Sequence, residues 1–526
     1  MKDADTAQVK KEEKSKGISA FEPKTLIFGI ILSFLSAVIC MQIIGKVGTT
    51  PNTSLIGAIF AMIFARLPLS AFKSFRSLER QNLVQTIVSG AGFSAANCGF
   101  IAIAIMFIIG SPEYIIPMAI GTVIGSVISV FVVGSIFDSK IFPAAGAWPP
   151  GVATASAIQA GDEGGKKGRR LIEGLALGVI GSYFKIPVAG IGIVFIANLH
   201  SMIALGVGLI LRGYSKQLFG FDMGKTNIAQ GIMIGAGLMA LIQCVLAIVK
   251  GTKDKEESQY NITVSDKKAT KSIGASLGLH IAGAFVVAAI TGIISQMSIP
   301  QLILWTLWTG FSSTVAMALV GMAAMRSGWF PAFAITTIFM TFGVIMGFPP
   351  LCVAVMTGYI SSVGPCFADM GYDLKTGWIL RGRGQDPEYE LYGRRQQVYI
   401  EAIGVVIGIA VVVVFGTMFM KEGLFPPISN TFVTTIKAGA DPAILKELLL
   451  WAIPGAVIQL AFGTKMVGVL FATGLILNNP IYGIGVLAAV VVRMIFGTEF
   501  MEVRDAGLIA GDGIYGFISS VIKAFI

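Results

Sequence analysis

Charge is scarce in this chain. Its 39 Lys+Arg and 29 Asp+Glu make up 13% of 526 residues, about half the roughly 25% of an ordinary soluble domain, which excludes a water-soluble globule. Histidine is scarcer still: His200 and His280 are the only two, and there is no His-Glu-x-x-His or Cys-x-x-Cys motif. No protein-built metal site and no cofactor are therefore expected. Cys40, Cys98, Cys244, Cys352 and Cys366 lie in or beside apolar stretches without staple-like spacing and are read as reduced packing residues. A Walker A sequence is absent, and the glycines from Gly231 to Gly237 lack a strand-turn-helix setting. They fit close helix packing better than phosphate binding, which argues against an ATP-driven pump. No local Ser/His/Asp pattern suggests an enzyme. A cleavable leader is not expected either, because 23 mostly polar residues precede an apolar run that ends in Gly45-Lys46-Val47-Gly48 without an Ala-x-Ala site.

Long uncharged runs fill the space that charge leaves. Hydrophobic residues make up 55% of the chain, with 64 Gly and 35 Phe, and mean hydropathy is +0.80. Runs such as 25–44 and 398–420 are predominantly apolar, with Glu401 their one charge, and about 20 such residues span a ~30 Å hydrocarbon core. A transmembrane β-barrel would instead show period-two segments of about ten residues. The fold expected is an all-α polytopic membrane protein with 14 to 16 transmembrane helices. The net charge of +10 lies mostly between the runs, where positive-inside topology accounts for it. Membrane lipids, not nucleic acid, are the implied large partner. Arg66, Lys73, Arg76 and Arg80 mark one cytoplasmic loop, Lys166, Lys167, Arg169 and Arg170 another, and the charged stretch 371–396 a third.

The organisation read from the chain is a disordered cytoplasmic tail (1–23), an N-terminal transmembrane half (24–249), a polar linker (250–272) and a C-terminal transmembrane half (273–526). Lys46-x-Gly48-x-x-Pro51 reappears 280 residues later as Arg326-x-Gly328-x-x-Pro331, which suggests two related halves, as many secondary transporters have. The relative orientation of the halves is left open.

Three pieces carry candidate chemistry. From Pro143 to Gly151, three prolines and two glycines break the backbone before the small-residue helix 152–160. Irregular backbone at membrane depth is tolerated only inside protein or beside a water-filled cavity, so Pro150, Gly151 and Thr154 become candidate substrate contacts. Asn82, Gln85 and Ser89 share one helical face at i, i+3 and i+7, with Asn97 further on; such groups can hydrogen-bond a polar solute or glue helices together. Lys375 is a candidate for an anionic substrate group. Carboxylates inside a bundle serve as proton relays, and Glu401 and Asp512 are the two chosen for proton coupling.

Several of these pieces resemble the oligopeptide transporter superfamily, which includes peptide carriers and yellow-stripe-like carriers of metal chelates. Gly45-Lys46-Val47-Gly48-Thr49-Thr50-Pro51 resembles the loop after its first helix, and Asn82-Leu83-Val84-Gln85-Thr86 its Glu-Asn-x-x-Gln-Thr element. The stretch 149–161 is similar to the prokaryotic members' Pro-Glu-Gly-x-Ala-x-Ala-Glu segment, with Pro150 and Ser156 where Glu is common. Asp373-Leu374-Lys375-Thr376-Gly377, Arg394-Arg395-Gln396-Gln397 with Glu401 and Gly404, and Ala506 to Gly513 with Asp512 complete the likeness. The Asn-Pro-Gly and Lys-Ile-Pro-Pro-Arg signatures of the eukaryotic peptide carriers are missing, which leans toward the prokaryotic and yellow-stripe-like branch.

The resemblance implies a secondary active importer, usually proton-coupled, of small oligopeptides or peptide-like compounds, with a metal-chelate carrier as the alternative. A channel would show rings of like residues around one pore, and a membrane-embedded enzyme a cluster of His or acidic residues on one helix face; both are less favoured. The plasma or inner membrane is the default destination of an importer. A homo-oligomer is compatible with the sequence.

Overall fold

The computed structural model describes residues 17–48, 53–66, 70–163, 166–196, 198–250, 262–327, 332–439, 442–477, 479–501 and 504–525. Within these residues every regular element is helical and there is no strand, so the protein is an all-α polytopic membrane protein. Eight helices are long and apolar enough to cross a membrane, and six shorter apolar helices accompany them. Apolar side chains such as Ile299, Ile345, Val414 and Met494 point outward, as a lipid-facing surface requires, while the backbone polar groups are paired along the helices.

The first run of helices is α1 (Pro23–Val47), α2 (Thr53–Arg66), α3 (Leu78–Ser94), α4 (Ile101–Ile109), α5 (Ile115–Ile136), α6 (Pro149–Glu163), α7 (Lys166–Tyr183), α8 (Val188–Ile196), α9 (Leu199–Gly213), α10 (Ser215–Phe219) and α11 (Ile228–Lys250). A π turn over Ala95–Phe100 joins α3 to α4. After α12 (Asp266–Ile290) comes a second run: α13 (Ile299–Ser327), α14 (Ala332–Ile345), α15 (Pro350–Leu380), α16 (Pro387–Lys421), α17 (Pro427–Ala438), α18 (Pro442–Phe462), α19 (Val467–Ile476), α20 (Pro480–Phe496) and α21 (Arg504–Phe525). Start and stop signals are local. Proline opens α1 at a position where its missing N–H costs nothing, and Gly48, at φ 75°, closes it with an N–H bond to Ile44 O.

The two runs share an order of lengths. Long α1, short α2 and the long α3–α4 pair are matched by long α13, short α14 and long α15; short α6 is matched by α17, and short α8 by α19. Packing follows the same exchange. α3 lies on α16 and α15 on α5; α1 lies on α3 and α13 on α15; α7 lies on α21 and α18 on α11. Gly235 shows how close these crossings are, since a Cβ there would collide with the backbone oxygen of Ala452 on α18. Small residues admit such contact between helices in lipid.

Two segments differ from expectation. The end of the expected tail, 17–22, is docked: Ile18 N donates to Glu79 Oε1 at 2.7 Å and Ala20 N to Gln396 Oε1 at 3.0 Å. Arg80 pairs with Glu22 at 2.6 Å, and its hydrogen bonds, opposed by partial burial, hold the Glu22 carboxyl below the usual range. Residues 1–16 lie outside the described residues, as do Pro51, Gly328 and Pro331 of the repeated motif and 251–261 of the linker. The stretch 371–396, read from its charges as a loop, is mostly helix, because those charges satisfy one another. Arg381 grips Glu390 at 2.8 and 3.1 Å, and Arg394 reaches the same carboxylate at 3.3 Å. Fork-to-carboxylate pairing of this kind lets charged side chains continue a buried helix.

Candidate functional site

From Cys352 to Trp378 every residue of α15 is buried. A helix this enclosed has no lipid or water face, so its polar residues must find partners inside the protein. Asp369 and Asp373 sit one turn apart and therefore share a face. Opposite that face stand Gln85 and Ser89 of α3 and the first turn of α2. Ser89 Oγ donates to Asp369 Oδ1 at 3.1 Å, as does Thr53 Oγ1 at 3.1 Å. Ser54 Oγ donates to Asp373 Oδ1 at 2.5 Å and Gln85 Nε2 to the same oxygen at 2.7 Å. Asn82 follows by donating to Gln85 Oε1 at 3.1 Å.

Glu401 enters from α16, fully buried. A Cβ at Gly90 of α3, one residue from Ser89, would lie 2.6 Å from its Cγ. Among the described residues both of its carboxyl oxygens, and Asp373 Oδ2, lack a hydrogen-bond partner. Among the described residues none of the three carboxylates forms an ion pair. Burying an uncompensated carboxylate costs several kcal/mol, so the cluster requires protons or a bound cation. Among the described residues no group of three or more His, Cys, Asp and Glu is arranged to hold a metal ion.

The close approach of α3 and α16 depends on Gly404, where a Cβ would run into Ile87 O. Gly404→Val is expected to overpack this crossing and destabilise the protein by about 1–3 kcal/mol, read as a lower thermal midpoint of the purified protein.

The broken segment before α6 docks on α15 as well. Trp148 is fully buried, at φ 38°, between Phe137, Phe142 and Tyr372. Its backbone N–H donates to Met325 O at 2.7 Å and its indole N–H to Pro143 O at 3.0 Å. Lys375 donates to Ala144 O at 2.7 Å and Gly146 O at 2.9 Å, and Thr376 Oγ1 to Gly151 O at 3.1 Å. The freed carbonyls of this irregular backbone are thus capped by α15, as interior polar groups must be.

The sequence candidates therefore divide. Gln85 and Ser89 touch the carboxylates directly, and Asn82 touches them through Gln85. Glu401 lies beside them. Lys375 fastens the 144–146 carbonyls and faces away from Asp373, while Gly151 packs on the backbone of Tyr372. Thr154 bonds Pro150 O at 2.8 Å within α6, and Pro150 is half-buried at that helix's start. Asn97 is buried in the π turn. Asp512 sits elsewhere, bound to Lys46 at 3.0 Å and to Ser182. Sequence reasoning missed Asp369, Thr53 and Ser54. The available signal was an Asp-x-x-x-Asp spacing at the end of an apolar run, together with a second copy of a short pattern. Ser361 to Gly371 repeats the Ser, Gly, Ala and Gly positions of Ser89 to Gly99, and places Asp369 where Asn97 stands. The first copy carries the π turn, and the second has Pro365 inside the continuous α15.

Residues 22–250 match a family model described as OPT oligopeptide transporter protein. No curated protein matches the chain. The matched stretch carries Thr53, Ser54, Gln85 and Ser89, whereas Asp369, Asp373 and Glu401 lie beyond it. With that match, the apolar helices are the spans of an integral, multi-pass membrane protein of transport.

Proposed function

We propose, from the match of residues 22–250 to the model of OPT oligopeptide transporter proteins, that the chain imports small oligopeptides or peptide-like compounds as a proton-coupled symporter. Glu401, with Asp369 and Asp373, holds the coupling charge, and Asn82, Gln85 and Ser89 line the same place from α3. The observation that carries this reading is the buried group of three carboxylates without an ion pair, fronted by hydroxyl and amide side chains. Neutralising that charge by a proton, and exposing it again on the other side, couples an ion gradient to a conformational change.

The two runs of helices form two halves of a duplicated unit, the first from α1 to α11 and the second from α13 to α21, with α12 as connector. α3 and α15 then meet across the relation between the halves, where midplane sites of such transporters lie. Lys375 serves the path as a positioning residue by holding the broken 143–151 backbone in place. Asp512, paired with Lys46, belongs to a contact between α21 and α1 outside the carboxylate group. No catalytic step is assigned to any residue.

Uptake into proteoliposomes of labelled tri- to hexapeptides, compared with an iron chelate, with and without a pH gradient, tests the proposal. Peptide accumulation that needs the gradient supports it. Accumulation of the chelate alone would replace the substrate, and gradient-independent uptake of both would remove the coupling. Gln85→Ala, which deletes the 2.7 Å bond to Asp373, is expected to weaken apparent peptide affinity roughly tenfold, since hydrogen bonds to charged groups contribute about 1.5–3 kcal/mol. Unchanged uptake and affinity would make Asn82 and Gln85 helix-packing residues only.

A further inference from the structure

Three hydroxyls and two carboxylates converge where α2 begins. Thr53 Oγ1 lies 3.1 Å from Asp369 Oδ1 and 3.3 Å from Ser89 Oγ; Ser54 Oγ lies 3.0 Å from Ser89 Oγ and 2.5 Å from Asp373 Oδ1; Ser89 Oγ lies 3.1 and 3.3 Å from the two oxygens of Asp369. Each hydroxyl has one hydrogen and two lone pairs. If Thr53, Ser54 and Ser89 spend their hydrogens on the carboxylates, as these distances favour, the Thr53–Ser89 and Ser54–Ser89 contacts bring lone pairs face to face. The residues are buried, and Asp373 Oδ2, on a carboxyl already bonded within this group, has no partner. An electron-rich cage of oxygens with an unsatisfied carboxylate oxygen is what a hard cation binds.

We propose that Thr53, Ser54, Ser89, Asp369 and Asp373 form a sodium site. Three of the five ligands are neutral hydroxyls. Calcium sites draw instead on carboxylates, carbonyls and water, and magnesium keeps several waters; this ligand set therefore suits a singly charged hard ion. The inference rests on the reading of this cluster as part of the transport path, and it adds a second ion to it. Sodium neutralises one carboxylate in the cage and a proton the other, while Glu401, outside it, remains the proton carrier of transport. α2 and α15 are then joined by an ion that can leave when they separate.

The test uses the purified full-length protein without peptide, at fixed pH and ionic strength, exchanging choline chloride for NaCl, KCl, CaCl2 or MgCl2. NaCl is expected to raise the thermal midpoint saturably, by at least about 2 °C, with no such rise in KCl. Ser89→Ala is expected to abolish the rise and Thr53→Ser to keep it. Should Ser89→Ala fail to fold, saturable binding of radiolabelled sodium to the wild type, uncompeted by choline, decides the question. A midpoint indifferent to sodium, an equal response to every salt, a response to calcium or magnesium alone, or a full sodium response in folded Ser89→Ala overturns the site. Its failure would leave pH-driven peptide uptake intact, whereas sodium binding by a protein that moves no peptide would overturn the substrate reading and spare this one.

Discussion

Glu401→Gln is expected to abolish uphill peptide accumulation while leaving peptide exchange across the membrane near the wild-type rate. Glutamine keeps the shape of the side chain, so the α3–α16 contact at Gly90 is preserved, but it cannot take up and release a proton. A carrier that no longer needs to neutralise this buried group can still alternate when loaded on both sides, and it loses only the coupling. Gradient-driven accumulation should fall at least about tenfold, a change of roughly 1.4 kcal/mol in the linked equilibrium, with counterflow of labelled peptide as the control. Equal loss of exchange and accumulation would instead mark Glu401 as a packing residue of the crossing.

The second large effect lies in stability. Glu390 is fully buried and answers both Arg381 and Arg394. Arg381 also reaches Gln397 at 2.8 Å and Asn82 at 3.4 Å, while Arg394 reaches Phe137 O at 2.8 Å and Thr263 at 3.2 Å. One carboxylate thus ties the α15–α16 turn to α3 and to the start of the broken segment. Glu390→Ala leaves the buried guanidinium of Arg381 without its counter-ion and Arg394 with only the more distant Asp138, at 3.8 Å, and is expected to destabilise the protein by about 3–5 kcal/mol. The readout is the thermal midpoint or the yield of monodisperse protein. Glu390→Gln, which restores hydrogen bonding without charge, should recover part of the loss.

Helical class and membrane character were legible in the sequence because both depend on composition and run length. The face of Asn82, Gln85 and Ser89 was legible too, since spacing alone places those residues together. Asp373 and Lys375 were harder. Their neighbourhood is rich in charge, and a local reading takes charge for a loop, whereas Arg381 and Arg394 are balanced by Glu390 and Asp138 only once α15 folds back on α16. The roles of Lys375 and Trp148 depend on backbone carbonyls more than 200 residues away or on a neighbouring helix, which no local pattern encodes. Asp369 escaped notice because its partners, Thr53 and Ser89, come from 316 and 280 positions earlier in the chain. Asp512, an acidic residue in an apolar run, is met in the fold by Lys46, a partner 466 positions away that its local sequence does not announce.

The central claim is that the carboxylates between α3, α15 and α16 carry the charge that moves with substrate. Current recorded from proteoliposomes on a solid-supported membrane, on adding a peptide of zero net charge, tests it without assuming which cation is used. Wild-type protein is expected to move positive charge with the peptide, and the combined Asp369→Asn, Asp373→Asn and Glu401→Gln protein to give no current. A wild-type current persisting in that folded triple variant would contradict the account.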